Sequence, residues 1–155
     1  MLAEVQAYVA AMQERRSEIL QVIKGLDAEA LNWRPLPDQA NSLYALAVHS
    51  LGAERRWIHK VVGQRQIERD REAEFRAQGE DAAELLKTYA AVTKTSAEIL
   101  AKLMEANMTE VRSDPKPYTV RWSILHTLEH YNEHLGQMRL TRQLWEGRHA
   151  RPQEI

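Results

Sequence analysis

Apolar residues return every three or four positions along most of the chain, and breaks in that rhythm divide it into four helical segments with no convincing strand. Val5, Met12, Ile19, Leu20 and Ile23 give the first segment, about Glu4 to Lys24, one apolar face, and Gly25 offers its C-terminal stop. Asp27 caps a short helical turn before Arg34-Pro35-Leu36-Pro37, where the two prolines force an extended path. Asn41 or Ser42 then caps the second segment, about Leu43 to Gln64, whose apolar face carries Leu43, Leu46, Ala47, Trp57, Ile58 and Val61. Residues 64–79, QRQIERDREAEFRAQG, are highly charged and close on Gly79; they read as a solvated connection with room for a helical extension, long enough to cross a bundle. Asp81 and Glu84 form a capping box for the third segment, about Ala82 to Ala106, with Leu85, Tyr89, Val92, Ile99 and Leu103 facing inward. Pro115 and Pro117 interrupt the chain before Thr119, which caps a fourth segment running to about Glu146 and stopping at Gly147. Four amphipathic helices of about 20 to 27 residues predict an all-α fold, a four-helix bundle, as one domain over residues 1–155.

Composition narrows the chemistry. Lys plus Arg number 21 against 22 Asp plus Glu, and a pI near 6.6 gives no electrostatic case for nucleic acid or an anionic membrane. Cysteine is absent, which excludes disulfides, thiolate metal sites and a cysteine nucleophile, so any metal takes nitrogen or oxygen ligands. MLAEVQAYVAAMQERR has acidic and polar residues within its apolar part, and no later segment approaches about 18 uninterrupted apolar residues. A soluble, cytoplasmic protein is the default expectation.

The histidines are the distinctive feature. His126, His130 and His134 stand at four-residue intervals on the fourth segment, each about 6 Å further along the axis. Relative to the stripe of Ile124, Leu128, Tyr131, Leu135 and Met138, His134 lies nearest the core, His130 roughly 40° further round and His126 roughly 80° further. His126 is therefore expected to be the wettest. It is also about 12 Å along the axis from His134, too far to share an ion, so only adjacent pairs chelate. A third ligand must come from elsewhere. His49, on the flank of the second segment's apolar face, is the best remaining candidate; His59 points to the opposite face and His149 lies beyond Gly147, and both are discounted. A bland reading stands beside this one, since a flank histidine is more often a partly buried side chain than a ligand. HxxxH also lacks the glutamate of HExxH, and Glu133 points away from the stripe, so no metalloprotease is implied.

AVHSLGAERRW on the second segment, followed by RWSILHTLEHYNEHLGQM on the fourth, resembles the DinB/YfiT-like superfamily of bacterial four-helix proteins, over almost the whole chain. The resemblance implies that one histidine of the second helix and an HxxxH pair preceding Gly-Gln hold a divalent ion, nickel or zinc. In this sequence those positions are His49, His130 and His134, with Gly136 and Gln137 following. Leu135 stands where the family often has arginine. The resemblance also implies an up-down-down-up bundle, whose parallel second and third helices need a long crossover; residues 64–79, able to extend to roughly 50 Å, satisfy it.

Three neutral imidazoles leave a divalent ion its full charge, which strongly acidifies a bound water or thiol. The resemblance adds relatives that are thiol-dependent S-transferases or isomerases. The expected function is thus a metal-dependent transferase or hydrolase acting on a small molecule, with a low-molecular-weight thiol as the candidate partner and a homodimer left open. The rival is a non-catalytic metal-binding stress or damage-response protein, and no general base stands out beside the ligands. Glu54, among apolar positions, needs a partner; Arg34 or Arg121 is the first expectation, a histidine the second. Trp57, Trp122 and Trp145 read first as packing, Trp33 as cover for one end, and Gln137 as a side chain able to face the metal pocket.

Overall fold

The computed structural model describes residues 1–113 and 115–149, the last without its side chain, so the exclusion of His149 as a ligand falls outside the described residues. The protein is mainly helical. Helix α1 spans Ala3–Ile23, the short α2 Ala28–Asn32, and α3 Leu43–Glu54, which continues as a π-helical stretch over Arg55–Val62. Short α4 (Arg71–Arg76) precedes α5 (Ala83–Leu100), short α6 (Glu105–Met108) and α7 (Val120–His149). The four long rods are α1, α3 with its π extension, α5 and α7, and α1, α5 and α7 all pack on the second of these.

Local signals explain most boundaries. Asp27 accepts from Ala30 N at 2.9 Å, Ser42 from Ala45 N at 3.2 Å and Thr119 from Trp122 N at 3.1 Å, so these caps each satisfy a first-turn donor. Gly25, at φ 74°, takes the left-handed position after α1. The expected Asp81–Glu84 capping box is not formed: the N-cap of α5 is Ala82, without a side-chain cap bond, and Asp81 Oδ1 accepts from Ala83 N at 2.7 Å; α5 ends at Leu100, short of the expected Ala106. Helix α7 runs past Gly147 to His149, because one glycine in an exposed helical turn costs only about 1 kcal/mol.

Two features depart from the expectation. The loop before α7 contains a small antiparallel hairpin, Val111–Ser113 (β1) with Pro117–Thr119 (β2), where no strand was predicted. Runs of three residues are too short to show a period of two. The connection after α3 is also not simply solvated: α4 packs on α3, and Glu74 is buried.

The core matches the apolar stripes. Val5, Met12, Ile19 and Ile23 of α1 meet Leu43, Leu46, Ala47 and Ile58, Leu85, Tyr89 and Val92 of α5, and Ile124, Tyr131, Leu135 and Met138 of α7. Among the described residues, no helix is long and apolar enough to cross a membrane.

Candidate metal centre

Helices α3 and α7 lie side by side, which brings His49 opposite the His130 and His134 pair. One ring nitrogen from each of the three lies within 4.8 Å of the others. His130 Nε2 stands 3.1 Å from His49 Nε2 and 3.2 Å from His134 Nε2. Nitrogens bound at about 2.0–2.1 Å around a tetrahedral ion are separated by about 3.3–3.4 Å, so these two spacings need only a small outward relaxation, while the third pair, within 4.8 Å, closes around the ion.

The far sides of the rings decide which atoms face inward. His49 Nδ1 lies 2.8 Å from Glu74 Oε2, and a carboxylate only accepts, so Nδ1 carries the proton and Nε2 the lone pair. His134 Nδ1 lies 2.9 Å from Gln137 Oε1, which fixes the same tautomer. Two lone pairs therefore converge on His130 Nε2, which has one proton at most to offer. A cation between the three nitrogens resolves that crowding, and the donor set fits a divalent metal ion.

Electrostatics point the same way. Burial, followed by the neighbouring His134, His49 and His126, holds the His130 pKa down at about 3, and burial lowers that of His134 despite the Gln137 bond. Both rings are thus neutral and able to ligate across the ordinary pH range. Burial alone would raise the Glu74 pKa, but hydrogen bonds from Arg69 and His49 outweigh it and keep the carboxylate ionised.

Glu74 is the functional residue that the sequence reading missed. Arg69 clamps it with Nε to Oε1 and Nη2 to Oε2, both 2.7 Å, and Phe75 stacks on the His49 ring with centroids 4.1 Å apart. Helix α4 is held by Asp70, whose Oδ1 accepts from Ala73 N at 2.9 Å, and by Arg34, which donates to Phe75 O at 2.6 Å. Gly52 lets the carboxylate reach α3: a Cβ there would lie 1.8 Å from Glu74 Oε1. The signal was the chain's only phenylalanine inside a charged run.

The remaining candidates lie outside the convergence. His126 is half-buried, as His130 is; it stacks on Trp122 at 4.6 Å and meets Trp57 edge-on at 4.9 Å, with Tyr118 stacked on the other face of Trp122. His59, expected on an outer face, is buried 3.0 Å from Ser96 Oγ, because the π-helical stretch resets the count of 100° per residue. Glu54 bonds neither Arg34 nor Arg121. It accepts from Arg16 of α1, Ser96 of α5 and Tyr131 of α7 at the centre of the protein, while Arg34 donates to backbone carbonyls and Arg121 pairs with Glu4. Trp33 packs on Trp145 at 5.6 Å.

A family model described as Mycothiol-S-transferase matches residues 7–147, nearly the whole chain. The chain belongs to the mycothiol S-transferase family. Its fold is that of DinB-like proteins: a dinb-like protein from Bacillus cereus ATCC 10987 superposes with a TM-score of 0.73 at 17% identity, covering 91% of this chain and 92% of that one. A conserved protein from Enterococcus faecalis superposes with a TM-score of 0.77 at 14% identity, covering 95% and 99%. No curated protein sequence is significantly similar to the chain. Membership of the mycothiol S-transferase family and the three-histidine cluster together mark a metal-dependent, enzyme-like protein.

Proposed function

We propose that His49, His130 and His134 hold a divalent ion, zinc or nickel, through their Nε2 atoms, and that the protein transfers a low-molecular-weight thiol to a small electrophilic substrate. The observation that carries this reading is the convergence of three Nε2 atoms, with the tautomers of His49 and His134 set from behind by Glu74 and Gln137. When bound, a divalent ion supplies Lewis-acid chemistry, lowering the pKa of a thiol or water that it contacts. Three protein ligands leave room for such a contact. His49 and His134 orient the centre, Glu74 and Gln137 retain the Nδ1 protons, and Phe75 shields one face of His49 from water. The family description, which names a thiol transferase, favours transfer over hydrolysis. In the same reading the chain is one domain whose long rods form an up-down-down-up bundle, with residues 64–79 as the crossover.

Elemental analysis of the purified chain is expected to find close to one divalent ion per chain, and single-turnover transfer from a small thiol to an electrophile should be lost in His134→Ala. Absence of metal after reconstitution with both zinc and nickel overturns the site. Equal transfer rates in wild type and His134→Ala overturn the metalloenzyme reading for that reaction even if the metal binds.

A further inference from the structure

Beside the histidines lies a second feature that their chemistry does not use. A cavity of about 330 Å³ is lined by Arg56, Lys60, Ile67, Arg69 and Arg71, so four of its five walls are cationic in a chain whose net charge is −1. It adjoins the metal centre through two routes. Arg69 holds Glu74, which holds His49. The Arg71 guanidinium stands 4.8 Å from the centroid of Phe75, the ring stacked on His49.

The arginines are braced rather than loose. Arg69 grips Glu74 through Nε and Nη2, which leaves the Nη1 donors outside that pair. The Arg56 guanidinium rests over Trp57 at 4.7 Å, and Arg71 reaches an acid only at 3.8 Å, with both partners well exposed. A weak surface pair of that kind yields readily to a better-placed anion. Guanidinium forks held by an aromatic face and a buried carboxylate are suited to bidentate recognition of carboxylate or phosphate oxygens.

We propose that this cavity binds an anionic group, a carboxylate or a phosphate, of the small molecule that reacts at the histidine centre. The proposal rests on the reading of that centre as reactive, but the anion site is tested without it. The experiment uses the full chain stripped of metal by a chelator and dialysed, so that no ion at the histidines can hold the anion. Inorganic phosphate and succinate are titrated separately by calorimetry, with circular dichroism confirming the fold.

Saturable binding of one or both is expected, and the one that binds identifies the oxyanion. Binding should weaken as ionic strength rises. Arg71→Gln and Lys60→Gln, both at exposed positions, should each weaken it about two- to five-fold, while His134→Ala leaves it unchanged. No saturable binding of either ion overturns the proposal, as does binding that ignores both substitutions. Because these readouts need neither metal nor turnover, a protein that binds the anion but transfers no thiol refutes the proposed function and keeps the anion site.

Discussion

Replacing Glu74 by glutamine tests the proposed metal centre more sharply than replacing one of its three histidines. The substitution keeps an acceptor for the His49 Nδ1 proton and nearly the same volume, but removes the negative charge that makes Nε2 a better donor. Loss of such a partner typically costs 10- to 100-fold in metal affinity. The lower end applies here, since Arg69 shares both carboxylate oxygens and cancels part of the field reaching the ring. The expected loss is therefore about ten-fold, or roughly 1.4 kcal/mol. Competition for zinc against a chromophoric chelator at pH 7.5 measures it, with His49→Ala as the reference for losing one ligand. A Glu74→Gln affinity within two-fold of wild type, while His49→Ala falls steeply, would show that the carboxylate only packs against the ring.

Three further outcomes are expected. Gly52→Ala should lower metal affinity about as much as Glu74→Gln, because its Cβ would take the place of Glu74 Oε1; an unchanged affinity in a chelator titration refutes that placement. Glu54→Ala strands Arg16, which is only 4% exposed, at a cost of about 3–5 kcal/mol. At about 2.1 cal/mol/K per residue that is a fall of roughly 9–15 °C in Tm, with much of it recovered in Arg16→Met/Glu54→Leu; a fall below about 3 °C by calorimetry contradicts the buried pair. Metal-free protein should lose stability as pH drops below 6.5 toward 3, because unfolding lets His130 take up the proton that the folded site refuses until about 3. The slope is at most roughly 1.4 kcal/mol per pH unit for that ring, with His134 acting in the same direction, and equal urea midpoints at pH 7.5 and 5 refute it.

What was legible in the sequence was what repeats. The apolar faces of α1, α3, α5 and α7 follow the helical period, and nearly every residue assigned to them is buried. That His134 is the buried one of the α7 histidines, with His126 and His130 half-buried, follows from the same count. His59 fails that count because nothing in RRWIHKVV announces a π-helical turn, where Gly63 N bonds Ile58 O five residues back at 2.8 Å. The partner of Glu54 was within reach. Arg16 falls between Met12 and Ile19 on the apolar stripe of α1, and two opposite charges at core positions of packed helices have only each other to neutralise them.

The carboxylate behind His49 has no periodic signature, since Glu74 is one acid among five in the run from residue 68 to 80. What singles it out is assembled from distant pieces: Gly52 clears the space, Arg34 fixes the carbonyl of Phe75, Asn32 exchanges two hydrogen bonds with Gly79, and Arg69 clamps the side chain. Gly52, Arg34 and Asn32 tie the connection to α3, to the loop before it and to α2, and Arg69 fixes Glu74 within the connection itself. A long connection ordinarily carries an entropic cost that surface contacts do not repay. Here the pinning makes that segment a wall of the proposed metal centre, so one stretch of chain both links α3 to α5 and sets the tautomer of His49. A substitution in it that leaves the helices intact is expected to act on metal affinity before it acts on stability, the reverse of what the core residues Ile124 or Met138 would do.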